Sequence, residues 1–99
     1  MNFRDEIFNL IKKIPVGKVA TYGAIARALS KPGAARAVGN ALNKNRDFVK
    51  IPCHRIVRSD GIAGGYVLRE KKKTEKLRRE GVRIEKGKIV DFEKYIYKF

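Results

Sequence analysis

A chain of 99 residues with 43% hydrophobic content is long enough to bury one core, which excludes wholesale disorder. Its 24 Lys and Arg against 10 Asp and Glu give a formal net charge of +14, a field that attracts polyanions, nucleic acid first and an anionic membrane surface second. One cysteine excludes an internal disulfide and a multi-thiolate zinc site; with no membrane-length apolar run and no signal peptide, a reducing, cytoplasmic setting is expected.

Phe3, Ile7, Phe8, Leu10, Ile11 and Ile14 recur at helical spacing, with Arg4, Asp5, Lys12 and Lys13 between them. This predicts an amphipathic helix that Pro15 and Gly17 end. The stretch TYGAIARALSKPGAARAVGNALNKN predicts two short helices. Thr21 is the N-cap of the first, which runs to about Leu29. SKPG breaks the chain, and the second helix runs from about Ala34 to Lys44. Two short helices across a tight turn in a basic chain make a helix-turn-helix candidate. The second helix is rich in small residues, Ala34, Ala35, Ala37, Gly39 and Ala41, with Arg36 projecting from it. Such a bare backbone fits either tight packing inside the protein or a smooth face laid against a nucleic-acid groove.

NRDFVKIPCHRIV reads as a loop entering a short buried extended segment, and RSDGIAGGY as a glycine-rich turn. A very basic helix is predicted from about Leu68 to Glu80, with Gly81 as its C-terminal stop. VRIEKGKIV alternates around EKGK and predicts a small hairpin. Phe92, Tyr95, Ile96 and Phe99 fit a short terminal helix. With no internal repeat and no linker, one domain over residues 1–99 is expected, mainly α with a small β-hairpin.

The only cysteine and the only histidine, Cys53 and His54, are consecutive. A nucleophilic cysteine needs its thiolate; a free thiol titrates near ~8.5, and nearby positive charge or a base lowers that value. An imidazole is a suitable base near neutral pH. Neighbours on an extended strand point to opposite faces, so a direct pair requires a bend or a bridging water. Glu80 is the attractive carboxylate to orient the ring, in competition with Glu70, Glu75 and Asp60.

IPCHRIV resembles the Pro-Cys-His-Arg-Val active-site motif of the O6-alkylguanine-DNA alkyltransferases. TYGAIA resembles the start of that family's helix-turn-helix, and GAARAVGNALNKN its recognition helix and asparagine hinge. Glu80-Gly81 resembles its late Glu-Gly, and the spacings from Cys53 to Tyr66 and to Glu80 also fit. The resemblance runs over essentially the whole chain. It implies the family's catalytic domain, on a winged-helix-like helix-turn-helix fold, without the additional N-terminal domain of larger members or any zinc held there.

The resemblance implies direct-reversal DNA repair: irreversible, single-turnover transfer of a methyl group from O6 of guanine to Cys53 after nucleotide flipping. It implies no metal and no organic cofactor. Cys53 is the acceptor, His54 relays its proton through a water, Glu80 orients His54, and Asn45 belongs to the hinge supporting the site. Tyr22 turns the target phosphate, Arg36 fills the stack that guanine leaves, and Ala35 and Gly39 lie on the helix face presented to DNA. Tyr66 and Lys73 sit by the pocket, Tyr66 donating a hydrogen bond to the base, and Arg55 ties the site to neighbouring carbonyls or carboxylates. The expected partner is double-stranded DNA containing O6-alkylguanine, with the protein a monomer and no membrane involved; a separate repair partner is left open. Val67 and Leu68 stand where the family has small residues, which implies a narrowed pocket favouring methyl over benzyl. The alternative is a non-catalytic alkyltransferase-like sensor that flips damaged guanine and recruits other repair factors; such proteins lack the acceptor cysteine.

Overall fold

The computed structural model describes residues 2–45, 50–62 and 68–99. Helix α1 spans Phe3–Ile11 and opens on Asn2, whose side-chain oxygen accepts from the Asp5 amide at 2.8 Å. That cap satisfies one of the orphan amides of the first turn, and Asp5 and Glu6 face the positive end of the helix. The helix stops a turn before the predicted limit. The Lys13 and Ile14 amides bond back to the Leu10 and Ile11 carbonyls at 3.0 Å, three residues away instead of four. The chain therefore tightens before Pro15 is reached. Ile14 still extends the buried stripe of Ile7 and Ile11.

Strand β1, Ala20–Thr21, runs parallel to β2, Ile56–Val57, with Ala20 opposite Ile56 and Thr21 opposite Val57. Val19 bridges Ile96 on the other side, its amide donating to the Tyr95 carbonyl and its carbonyl accepting from the Tyr97 amide, each at 2.8 Å. Strand alternation then divides the interior. Ala20 and Ile56 join one apolar cluster with Ile7, Ile11, Ile25, Val38 and Leu42. Val19 and Val57 join a second with Leu77, Val82, Ile84 and Ile89. Each fully buried aliphatic side chain contributes about 1.5–3 kcal/mol relative to exposure.

Helix α2, Tyr22–Ala28, is capped as predicted: the Thr21 hydroxyl accepts from the Ala24 amide at 3.0 Å. Helix α3, Ala35–Leu42, follows across the turn and completes the helix-turn-helix. One face of it packs inside the protein and the other is open. Val38, Ala41 and Leu42 are buried, while Arg36, Ala37 and Asn40 are exposed.

Helix α4, Leu68–Arg79, ends where Gly81 adopts φ +95°. The Val82 amide reaches the Leu77 carbonyl and the Gly81 amide the Arg78 carbonyl, both at 3.0 Å, the pairing of a Schellman stop. Strands β3, Ile84–Glu85, and β4, Lys88–Ile89, form the predicted hairpin. Lys86 and Gly87 take positive φ at its tip, as a primed two-residue turn requires. The predicted terminal helix is only one turn, α5, Phe92–Tyr95. Ile96 leaves it because the bridge to Val19 wins over continued helix. The architecture is thus mainly helical, a helix-turn-helix with a hairpin wing and a short parallel pair. Among the described residues no helix is long and apolar enough to cross a membrane.

Candidate functional site

The extended segment predicted around Cys53 exists only at β2. Pro52 sits at φ −78°, ψ 68°, and the Arg55 amide bonds to its carbonyl at 3.0 Å. Cys53–Arg55 is therefore a single 3-10 turn. Successive side chains in such a turn diverge by about 120°, not by the half-turn of a strand. Cys53 and His54 accordingly emerge from the same bend, both partly buried.

Cys53 is held from the end of α3. The Asn45 amide nitrogen bonds back to the Leu42 carbonyl at 3.0 Å, which carries the chain out of the helix. The Asn45 side chain is only 2% exposed. Its Nδ2 donates to the Ile51 carbonyl at 3.0 Å and to Cys53 Sγ at 3.4 Å. One amide group thus ties the Cys53 sulfur and the backbone two residues before it to α3.

His54 is held from the end of α4. Its Nε2 lies 2.9 Å from Glu80 Oε2. Arg55 grips the same carboxylate with two bonds, Nε to Oε1 at 2.9 Å and a guanidinium NH2 to Oε2 at 2.7 Å. Its remaining arm donates to the Ile14 carbonyl at 2.8 Å. Glu80 therefore wins over its competitors. Asp60 pairs with Arg58 at 3.3 Å, Glu75 is exposed, and the Glu70 side chain lies outside the described residues.

Burial pushes the His54 imidazole below its ordinary value; the bond and charge of Glu80 oppose this, and Arg55 and Lys76 add to the lowering. Burial raises the Glu80 carboxyl, but the bonds from Arg55 and His54 outweigh it and leave the group below its ordinary value. Near neutral pH the pair is a carboxylate and a neutral imidazole. A carboxylate only accepts, so Nε2 carries the ring proton and Nδ1 keeps a bare lone pair. Nδ1 is buried and has no hydrogen-bond partner among the described residues. A neutral ring with one basic nitrogen uncommitted can take a proton from a neighbouring acid.

The remaining predicted residues fall into two groups. Tyr22 opens α2 beside Gly39 of α3, where a β-carbon would sit 3.8 Å from the tyrosine ring. Lys73 Nζ lies 5.7 Å from the same ring's centroid, joining α4 to the helix-turn-helix. Ala35 is half-buried at the start of α3 and Arg36 beside it is exposed. Tyr66 and Val67 lie outside the described residues, as does the Leu68 side chain. Two contributors were missed in the sequence: the Ile14 carbonyl and the Lys76 charge. Lys76 stands four residues before Glu80 on one helix face, a spacing that marks a candidate; a backbone carbonyl leaves no such mark. Among the described residues no three His, Cys, Asp or Glu side chains come together as a metal site.

Comparison with known proteins places this chain. The family model for the DNA binding domain of 6-O-methylguanine DNA methyltransferase matches residues 2–82. A bifunctional methyltransferase/endonuclease of Picrophilus torridus is 43% identical over 89 residues, covering 90% of this chain and 30% of the relative. Atl1 of S. pombe, solved in complex with damaged DNA containing O6-carboxymethylguanine, superimposes with a TM-score of 0.87 at 31% identity, over 98% of this chain and 95% of that one. The O6-methylguanine methyltransferase of Mycobacterium tuberculosis superimposes with a TM-score of 0.74 at 34% identity, over 87% of this chain and 52% of that one. The chain spans less than half the length of the curated relatives it matches.

Proposed function

The chain belongs to the family of 6-O-methylguanine DNA methyltransferase DNA-binding domains, and from that premise we propose that it binds double-stranded DNA and transfers a methyl group from O6 of guanine to Cys53. The observation that carries this reading is the pairing, in consecutive residues, of an amide-held thiol with a neutral, carboxylate-held imidazole.

In this reading the exposed face of α3 lies along the minor groove, about 6 Å wide, where Ala35 and Gly39 permit close approach. Tyr22 turns the target phosphate, and Arg36 enters the stack as the guanine leaves it. Extrusion costs a few kcal/mol of unstacking, offset by pocket contacts and the inserted side chain. Tyr66 and Lys73 receive the flipped base. The remaining cations neutralise phosphates without reading sequence.

The chemical step is a displacement at carbon. The Cys53 thiol proton passes through a water to His54 Nδ1, and the resulting thiolate attacks the methyl carbon. The S–C bond forms as the C–O6 bond breaks. The electron pair stays on guanine, which a proton from Tyr66 neutralises. The thioether is stable, so each molecule acts once.

Incubation with an O6-methylguanine duplex followed by intact-mass measurement tests this reading. The expected result is a gain of one methyl on Cys53, with Cys53→Ser binding the duplex equally well and gaining nothing. A second reading draws on the likeness to Atl1 along nearly the full length of both chains. In it the protein is a sensor that holds alkylguanine and recruits other repair factors. Tight binding to damaged duplex with unchanged mass would favour the sensor. Equal affinity for damaged and intact duplex together with unchanged mass would remove both readings.

A further inference from the structure

The turn between α1 and β1 meets the Arg55–Glu80 pair at two points. At the first the Ile14 carbonyl accepts an Arg55 guanidinium bond at 2.8 Å, while the rest of that guanidinium holds both Glu80 oxygens. At the second point Gly17 comes against the Glu80 backbone. A β-carbon at position 17 would sit 3.3 Å from the Glu80 carbonyl oxygen, closer than most such contacts allow. Gly17 also adopts φ +86°, where an L side chain is strained. The turn is closed by the Lys18 amide bonding to the Pro15 carbonyl at 3.1 Å.

Glu80 needs such a seat. It lies just beyond the last residue of α4, where the helix is already giving way to the Gly81 stop. A β-carbon on Gly81 would meet nothing within 4 Å, so the neighbouring backbone has open space on that side. The Glu80 amide is still tied to the Lys76 and Leu77 carbonyls at 3.2 and 3.1 Å, while its carbonyl is the group that Gly17 approaches.

We propose that the Ile14–Gly17 turn is the positioning element of the proton relay, seating the Glu80 carboxylate against His54 Nε2 through the Ile14 carbonyl on Arg55 and the close approach that Gly17 permits. The consequence for rate rests on the alkyl-transfer reading; the consequence for His54 does not.

The chain has one histidine, so its ring nitrogen resonances are free of overlap in 15N-labelled protein. The wild type is expected to show a single neutral tautomer with the proton on Nε2. Gly17→Ala is expected to populate the second tautomer measurably and to slow single-turnover methyl transfer about ten-fold, short of the ~100-fold that a misplacement of about 1 Å can cost. Arg55→Lys, which cannot reach the Ile14 carbonyl and both Glu80 oxygens together, is expected to do the same and carries the test if Gly17→Ala does not fold. Gly61→Ala is the control. Gly61 also has positive φ, and its β-carbon would meet the Phe92 ring at 3.2 Å and none of the Arg55, His54 or Glu80 atoms; it should lower the melting temperature and leave tautomer and rate alone. An unchanged tautomer in either folded variant overturns the proposal, as does a changed tautomer with an unchanged rate. If the wild type transfers no methyl, the alkyl-transfer reading falls while the tautomer measurement still decides whether the turn seats Glu80.

Discussion

Cys53 and His54 are neighbours in one 3-10 turn, yet different halves of the molecule hold them. Cys53 packs against the α1–α3 cluster and takes one hydrogen bond from a buried, uncharged amide, Asn45. His54 is held by Glu80 at the end of α4, which packs on the second cluster, through a network of three ionisable groups. The two supports differ in kind. A neutral amide bond is modest in energy and indifferent to pH. An ionic network is stronger, but conditional on every member keeping its charge state. In the proposed alkyl transfer the difference suits each group: the attacking sulfur is held lightly, whereas the ring is held through one nitrogen with the other left bare.

The largest expected effect lies on the ionic side. Arg55→Ala removes the cationic partner of a carboxylate whose side chain is 15% exposed, leaving Glu80 with the neutral His54 alone and the Ile14 carbonyl without its guanidinium bond. A loss of about 3 kcal/mol of unfolding free energy is expected, measured by urea denaturation near neutral pH. Asn45→Ala should cost less, about 2 kcal/mol, because the bonds it gives to Ile51 and Cys53 are neutral. If Asn45→Ala proves the costlier change, the light hold assigned to the sulfur is wrong and the α3 hinge dominates the site.

Those two residues also mark how far the sequence could be read. Thr21, Gly81 and the EKGK turn announced their roles because capping, helix stopping and hairpin reversal are local, and each leaves its own residue type. Glu80 was legible as a candidate, but only the fold could choose it over Asp60, which pairs instead with Arg58 two residues away. The 3-10 turn was not legible. Ile51, Ile56 and Val57 favour a strand, and the bend depends on the Pro52 geometry together with the pull of Asn45 and Glu80 on consecutive residues. The early end of α1 was hidden for a related reason: Ile14 keeps the helical apolar spacing while its carbonyl is taken by Arg55, 41 positions along the chain. Long-range claims on backbone groups carry no periodicity, so pattern reading passes over them.

The smallest effect is the one that separates the halves by pH alone. His54 has a folded-state value below its unfolded value of about 6.5. Between those two values the unfolded chain binds the additional proton, so stability falls as pH drops through that window and is unaffected above it. Glu80 is also lowered; its contribution is fully present above about pH 4.5 and is lost as pH falls through its folded value, a second and more acidic window of the same sign. Urea midpoints measured from about pH 7 down to about pH 5.5 isolate the first window, because the chain's only histidine titrates there. The wild type should lose stability across that range, Asn45→Ala should lose it in parallel from a lower starting point, and His54→Asn should be flat. A flat wild-type profile would mean that the ring is not held neutral by burial. The contrast between a pH-blind sulfur support and a pH-sensitive imidazole support would then fail at its chemical root, whatever the two alanine variants cost.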